Sequence, residues 1–410
     1  LPIYKNNMII NFTVGNYRSF KDKKVLSMEA TAIKELNESV IEKEGYRLLP
    51  SAVIYGANSS GKSNLLKAIG RFKKIINSSS KLNSTDKLKI SPFLLNQETA
   101  KEPSFFEIEL LLDNVAYRYG FTANNQKVYE EWLYTKEGKA KKEKCLFVRT
   151  EEGIGIADDY NEGKGLEEKV RDNGLFLSTI DSFNGEIAKK IIYKIDNFWI
   201  ISGINHESWS GFTNDMCNIE NPDLSFQQEI QDFLKSMNVG FNRFELPEDE
   251  KLAKEIKAYT IHNLYNEQGE VIGETRFSMK EHESSGTNKL FDLAALVISQ
   301  LMLGDLLVVD ELDSKLHPLL TQHIIKLFNN PKTNPKGAQL IFATHDTNLL
   351  NVKTFRRDQI WFTEKDHSEA TDLYSLAEFR EPEGNKIRKD RSFEKDYING
   401  RYGAIPYIKD

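Results

Sequence analysis

The sequence predicts an α/β protein: a head built on a parallel sheet, an antiparallel β lobe and an inserted helical subdomain. Three observations predict it. A short apolar strand at Ala52–Tyr55 runs into a glycine loop and then a helical period, Gly56 to Ile76. Two later apolar runs, Leu306–Val309 and Leu340–Ala343, end in residues suited to ligand chemistry. Between them the hydrophobic period changes first to two and then to 3.6, the marks of hairpin strands and of amphipathic helices.

Bulk properties narrow the classes. With 410 residues the chain is long enough for one large domain with insertions or for two or three domains. Forty per cent hydrophobic and 28% charged residues describe a globular protein rather than a disordered one. A formal net charge of −6 argues against a protein whose main work is coating nucleic acid, while leaving room for a local basic patch. Two cysteines, Cys145 and Cys217, without a Cys-x-x-Cys pair exclude a disulfide framework and make a zinc site unexpected. The seven histidines do not cluster, and His317 and His323 stand six apart, on different faces of a helix. No apolar run approaches the ~20 residues of a membrane span and no signal-peptide core is present, so a soluble, cytoplasmic protein without a membrane partner is expected. Met8 is a more natural opening than Leu1, which makes the first seven residues an expected extension.

From Met8, Ile9–Val14 alternates as a strand, and Val25–Met28 reads as a second. Between them Asn16-Tyr-Arg-Ser-Phe20 is either a hairpin corner packed by Tyr17 and Phe20 or, through Arg18, a nucleotide contact. The next strand enters Gly56-x-x-x-x-Gly61-Lys62-Ser63, the phosphate-binding loop. Its glycines let successive backbone N–H groups converge on one anion, and the helix N-terminus adds partial positive charge. Gly56, Asn58, Ser59, Ser60, Gly61, Lys62, Ser63 and Asn64 are the expected ATP contacts. Lys62 reaches the β- and γ-phosphates, and the Ser63 hydroxyl is a ligand for Mg²⁺. Leu65, Ile69, Phe72 and Ile76 form the buried stripe of the following helix.

Residues 77–86 read as a loop or frayed helix end. Four alternating runs, Phe105–Leu112, Val115–Phe121, Val128–Tyr134 and Cys145–Arg149, then form an antiparallel lobe, with Lys136–Lys144 as a solvated hairpin tip in preference to a nucleic-acid contact. From Leu166 to about Leu264 the pattern is mostly helical, interrupted by the buried stretch Phe198-Trp-Ile-Ile. No heptad run is long enough for an extended coiled coil.

Chemistry returns at Ser284-Ser-Gly-Thr287, which opens a helix carrying Leu290, Leu293, Ala294, Val297 and Leu301. Alone it is a serine N-cap; in company it is an anion site at a helix start. Leu306-Leu-Val-Val-Asp310-Glu311 is a buried strand ending in two carboxylates. Asp310 suits the Mg²⁺ shell, and Glu311 suits the general base that orients and deprotonates water. Leu340–His345 delivers His345 at the carboxyl end of another strand, the edge where open α/β sheets bind ligands, as a γ-phosphate sensor.

Gly56–Ser63, Ser284–Thr287, Asp310, Glu311, Asp313 and His345 resemble, in order and rough spacing, the ABC-class ATPase heads of the SMC, RecF and OLD branch. The resemblance implies two ATP molecules sandwiched between two heads of a homodimer or higher oligomer. It gives Ser284 the signature-serine role in trans, Gly286 a backbone contact, Asp313 the loop crossing the dimer interface and His345 the switch. Ser285 and Thr287 depart from the family's Leu-Ser-Gly-Gly-Gln, and Gln97 is the candidate for its glutamine loop. The implied division is 1–76 and 281–410 for the two parts of the head, 77–165 for the β lobe and 166–280 for a mainly helical insert.

The tail narrows the resemblance. Arg356–Lys365, Asp372–Leu376 and Gly400–Pro406 are similar to bacterial AAA-family ATPases of abortive-infection and restriction islands, including the ATPase subunit of PARIS-type anti-phage systems. That group commonly sits beside a Toprim- or RloB-like nuclease. The resemblance therefore implies an ATP-driven sensor or scaffold controlling a separately encoded effector, with DNA or a phage protein as trigger. A RecF- or SMC-like repair ATPase is the alternative. An OLD-type nuclease ranks third, because no Asp-x-Asp follows His345.

Overall fold

The computed structural model describes residues 7–139, 141–217, 226–248, 250–381, 387 and 391–406. Six of the seven residues of the expected N-terminal extension lie outside these, as does Ala140 in the lysine tract. In chain order the elements begin with strands β1 (Met8–Gly15), β2 (Lys24–Ser27), β3 (Ile41–Lys43), β4 (Tyr46–Leu48) and β5 (Ser51–Tyr55), then helix α1 (Lys62–Ser79). Strands β6 (Ser104–Leu112), β7 (Val115–Ala123), β8 (Val128–Glu137), β9 (Lys144–Thr150) and β10 (Gly153–Ile156) follow. Next come α2 (Phe176–Ser182), α3 (Glu186–Asp196), β11 (Trp199–Ser202), α4 (Phe212–Cys217), α5 (Phe226–Ser236), β12 (Arg243–Glu245) and α6 (Glu250–Ile256). The chain closes with β13 (Tyr259–Tyr265), β14 (Val271–Ser278), α7 (Met279–His282), α8 (Ser285–Leu303), β15 (Leu306–Asp310), α9 (Pro318–Asn329), β16 (Gln339–Ala343), β17 (Ile360–Lys365), β18 (Thr371–Ser375) and α10 (Phe393–Ile398).

The head is a six-stranded sheet in the order β11-β15-β16-β5-β17-β18, parallel except for the last hairpin. Its central strands are buried along almost their whole length, as a sheet covered on both faces requires. Alternate residues serve two cores. Ile54, Val308 and Ile341 join one with α1, and Val53, Val309 and Phe342 join the other with α8 and α9. A second, seven-stranded antiparallel sheet runs β10-β9-β8-β7-β6-β1-β2. Helix α1 lies between the sheets: Phe72 stacks on Phe121 at 5.6 Å and meets Phe12 edge-on at 5.8 Å.

Two assignments differ from the sequence expectation. β1 and β2, expected within the head, belong to the antiparallel sheet through β1–β6 pairing, because the inward side chains of β1 (Phe12, Val14) complete the core of that lobe. The stretch at 199–202, expected inside a mainly helical insert, pairs in parallel with β15 and so is part of the head sheet. The same insert also holds a three-stranded sheet, β12-β13-β14. Its outer strand is exposed along most of its length, so the alternation that marks a half-buried strand is weak there.

Candidate functional site

The phosphate loop turns through three residues with positive φ, Gly56 at 154°, Ser59 at 65° and Gly61 at 119°. Both glycines are also required by space. A Cβ on Gly56 would lie 2.4 Å from the Thr363 carbonyl, and one on Gly61 would lie 2.3 Å from Thr371 Oγ1. Lys62 is buried and folds back, its ammonium donating to the carbonyls of Gly56 at 2.7 Å and Ala57 at 3.0 Å. Burial lowers its pKa, and the carboxylates of Asp310, Glu311 and Asp313 oppose that fall, which places all three within electrostatic reach of the loop. Asn58 and Ser59 are exposed at the loop's tip, and Ser63 is half-buried. The Ser60 hydroxyl is bonded to Thr363 Oγ1 at 2.6 Å, inside the protein rather than toward the loop's cup.

Asp310 closes β15 and Glu311 follows with φ of 58°, an uncommon conformation for a residue with a side chain. This turn separates the two carboxylates. Gly203, at the end of β11, makes it possible: its N–H donates to the Asp310 carbonyl at 2.6 Å, and a Cβ there would sit 2.0 Å from the Glu311 carbonyl oxygen. Asp310 Oδ1 and Asp313 Oδ1 are buried without a hydrogen-bond partner, as is Asp346 Oδ2. A buried carboxylate oxygen left in that state is costly, and a cation or a bound group satisfies it. Asp310 thus fits a place in a Mg²⁺ shell, with Ser63 as the second oxygen donor from this chain.

Strand β16 leads to Thr344 and then to His345, which is exposed. Its neighbour Asp346 is tied down: the Tyr55 hydroxyl donates to the Asp346 carbonyl at 2.9 Å. Burial holds the Tyr55 hydroxyl well above its ordinary pKa, and the nearby Asp346 and Asp313 carboxylates add to it. Asp313 therefore lies within electrostatic reach of Tyr55 on the phosphate-loop strand.

Arg18 is exposed on a turn with φ of 51°, its Nε 3.2 Å from the Tyr17 hydroxyl, while Tyr17 and Phe20 are buried as corner packing. Packing and proximity to the site coexist, because Asn64 donates to the adjacent Ser19 hydroxyl at 2.8 Å. Gln97 is exposed on a loop that the Asn16 side chain anchors at Phe93 and Thr99.

Ser284 caps α8, accepting from the Thr287 N–H at 3.1 Å, and both Ser284 and Ser285 are exposed. Among the described residues no hydrogen bond or ion pair joins Ser284 or Gly286 to residues 56–64. Gly286 instead approaches the loop after Glu311, where a Cβ would lie 2.9 Å from the Lys315 carbonyl.

The structure adds residues that sequence reasoning passed over. Lys289 is fully buried and donates to the carbonyls of Leu312 at 3.0 Å and Ser314 at 2.5 Å; burial lowers its pKa to about 8. Thr363 and Thr371 brace the phosphate loop, and Tyr397 of α10 packs on Tyr55 at 5.7 Å. A lysine among the apolar residues of a helix was a readable signal at Lys289. The threonines of an ordinary hairpin gave none.

Residues 51–351 match the protein family described as "AAA domain, putative AbiEii toxin, Type IV TA system". Among solved structures the chain is similar to the SMC head domain from Thermotoga maritima, at 12% identity over 90% of this chain and 98% of that one, with a TM-score of 0.44. It is also similar to an Smc head bound to the C-terminal winged-helix domain of ScpA, at 12% identity over 90% and 97%, TM-score 0.45. A third is an Smc head with an extended coiled coil bound to the C-terminal domain of ScpA derived from Pyrococcus furiosus, at 12% identity over 90% and 96%, TM-score 0.40. No curated protein matches. No helix of the described residues is long and apolar enough to cross a membrane.

Proposed function

The chain belongs to this AAA-domain family, and from that premise we propose that it is an ABC-class, Mg²⁺-dependent ATPase that serves as the sensor or scaffold subunit of an anti-phage, abortive-infection system. The observation that carries the enzymatic part is the convergence of Lys62 with Asp310, Glu311 and Asp313 at the carboxyl edge of one sheet. Lys62 binds phosphate oxygens, Asp310 and Ser63 hold the cation, and Glu311 accepts the proton of attacking water. Mg²⁺, when bound, screens the phosphate charge. His345 and, from a second head, Ser284 and Gly286 complete the site around the γ-phosphate, with Asp313 at the junction.

The surface beyond the head supports control of a separately encoded effector, a nuclease in this reading. The β12-β13-β14 sheet exposes Leu264, Tyr265, Val271 and Ile272, more apolar surface than nucleotide chemistry needs. A partner that binds the two nucleotide states with different affinity is switched by hydrolysis. Co-expression with the adjacent open reading frame, followed by pull-down with and without ATP, tests this. Nucleotide-dependent co-purification supports it; no co-purification in either state removes the effector reading.

One observation favours a second reading, a RecF- or SMC-like DNA repair ATPase. Lys73, Lys74 and Lys81 line an open groove of about 410 Å³ on the outer side of α1, with Gly70, Asn77 and Ser78 and no carboxylate in the lining. Asp196 beside it pairs with Lys73 at 3.8 Å. Steeply salt-dependent binding of DNA ends by the chain alone would favour this reading.

A further inference from the structure

The last hairpin of the head reaches the phosphate loop with two threonines, both buried. Thr363 on β17 faces Gly56, and Thr371 at the start of β18 faces Gly61. Thr371 does more than support the loop. Its Oγ1 lies 2.8 Å from the Ser60 carbonyl and 2.8 Å from Ser19 Oγ, and its N–H donates to the Ser19 carbonyl at 2.7 Å. A hydroxyl has one proton to give, and the Ser60 carbonyl only accepts. The Thr371 proton is therefore shared between two acceptors, the Ser60 carbonyl and the Ser19 hydroxyl oxygen. The Ser19 oxygen in turn accepts from Asn64, the second residue after Lys62. Asn64 and Thr371 both donate to Ser19, and Thr371 also donates to the loop backbone, so one network ties Ser19 to the phosphate loop.

Ser19 adjoins Arg18, so this network sets where the Arg18 turn stands relative to the phosphate loop. The turn cannot hold that place by itself, since its residue 18 has a left-handed backbone that costs free energy. Its other ties, Arg18 N–H to the Ser91 carbonyl and the Asn16 side chain to residues 93–103, lead away from the loop.

We propose that Thr371 is a positioning residue for nucleotide binding, acting through Ser19 to hold the turn that carries Arg18 against the phosphate loop. The inference rests on the ATP-binding reading above, and it gives Arg18 a role that depends on a residue 352 positions away from Ser19 in sequence.

The test is a double-mutant cycle on the full chain, read as the Kd of a fluorescent ATP analogue. Thr371→Val keeps the shape and removes the hydroxyl; Arg18→Ala removes the group it positions. Each single change is expected to weaken binding about tenfold, the scale of one lost polar interaction. The double variant is expected to be no weaker than about tenfold, because an arginine already out of place has nothing more to lose. Independent, purely structural effects would multiply to about a hundredfold. Thr371→Ser should restore wild-type affinity. A multiplicative cycle, wild-type affinity in Thr371→Val, or no rescue by serine overturns the proposal. If Thr371→Val does not fold, Ser19→Ala breaks the same link and replaces it in the cycle. A wild-type chain that binds no nucleotide removes the ATPase reading itself, an outcome distinct from the others.

Discussion

The ammonium of Lys289 lies 3.0 Å from the carbonyl oxygen of Leu312, so the helix that begins after Ser284 is fastened to the loop that begins after Glu311. The second bond, to Ser314, brackets Asp313 between two carbonyls held by one side chain. The start of α8 and the loop after Glu311 are therefore one mechanical unit, and a displacement of either is passed to the other.

That unit has a pH signature. Lys289 titrates near 8 in the folded chain against 10.5 in the unfolded one, so between these values the unfolded state binds more protons. Stability from this group rises as pH climbs from about 8 to 10.5 and is lowest below 8. The span corresponds to at most about 3 kcal/mol. Thermal melts of wild type against Lys289→Met across pH 7–10 check it. Wild type should gain on the variant with rising pH; a constant gap would mean that the amine is not held charged at a cost.

Lys62→Ala should abolish ATP binding, because a methyl cannot replace an ammonium aimed at phosphate oxygens. Equilibrium binding of a fluorescent nucleotide reads this directly, and near wild-type affinity would remove Lys62 from the site.

Glu311 offers a change that separates fold from chemistry. Its φ of 58° is uncomfortable for glutamate and free for glycine. Glu311→Gly should raise stability by about 1 kcal/mol while phosphate release is lost. Glu311→Gln should leave stability unchanged and also lose release, with ATP still bound. Turnover near wild type in either variant rules out Glu311 as the base.

Gly203→Ala places a methyl 2.0 Å from the backbone oxygen of Glu311, where nothing flexible can yield. A loss of roughly 2–4 kcal/mol is expected, with phosphate release falling together with the melting temperature as the Asp310–Glu311 turn is displaced. A fully active, stable Gly203→Ala protein would show that the turn is not held by this approach.

The proposed pairing of two heads makes a separate prediction. Ser284→Arg and Lys62→Ala, each inactive alone, should recover part of the ATPase when mixed, since one intact composite site forms in a heterodimer. Verified mixed dimers without recovery would point to hydrolysis within one subunit.

What was legible in the sequence was whatever has a local rule. Gly56–Ser63 needs a strand before it and a helix after it, and both are visible within 25 residues. Leu306–Asp310 and Gln339–Ala343 announce themselves as continuous apolar runs because both faces are covered. β11 was harder: four residues in a largely helical neighbourhood read as buried, but nothing local says that their partner is β15, more than 100 residues later. The membership of β1 in the antiparallel sheet failed for the same reason, since pairing with β6 is settled by a shared core around Phe12 and Phe106. Thr371 and Gly203 were invisible because their roles lie in distances to atoms far along the chain.

The order of synthesis gives that last point a consequence in time. Ser60 meets Thr363 303 residues downstream and Thr371 311 residues downstream. The phosphate loop is thus made early and stands unbraced until the final hairpin arrives, and such distant pairings are slow to form. An interrupted chain that stops short of β17 carries the whole of Gly56–Ser63 yet lacks both threonines that shape it. A growing chain must therefore extend through Thr371 before its phosphate loop carries both braces.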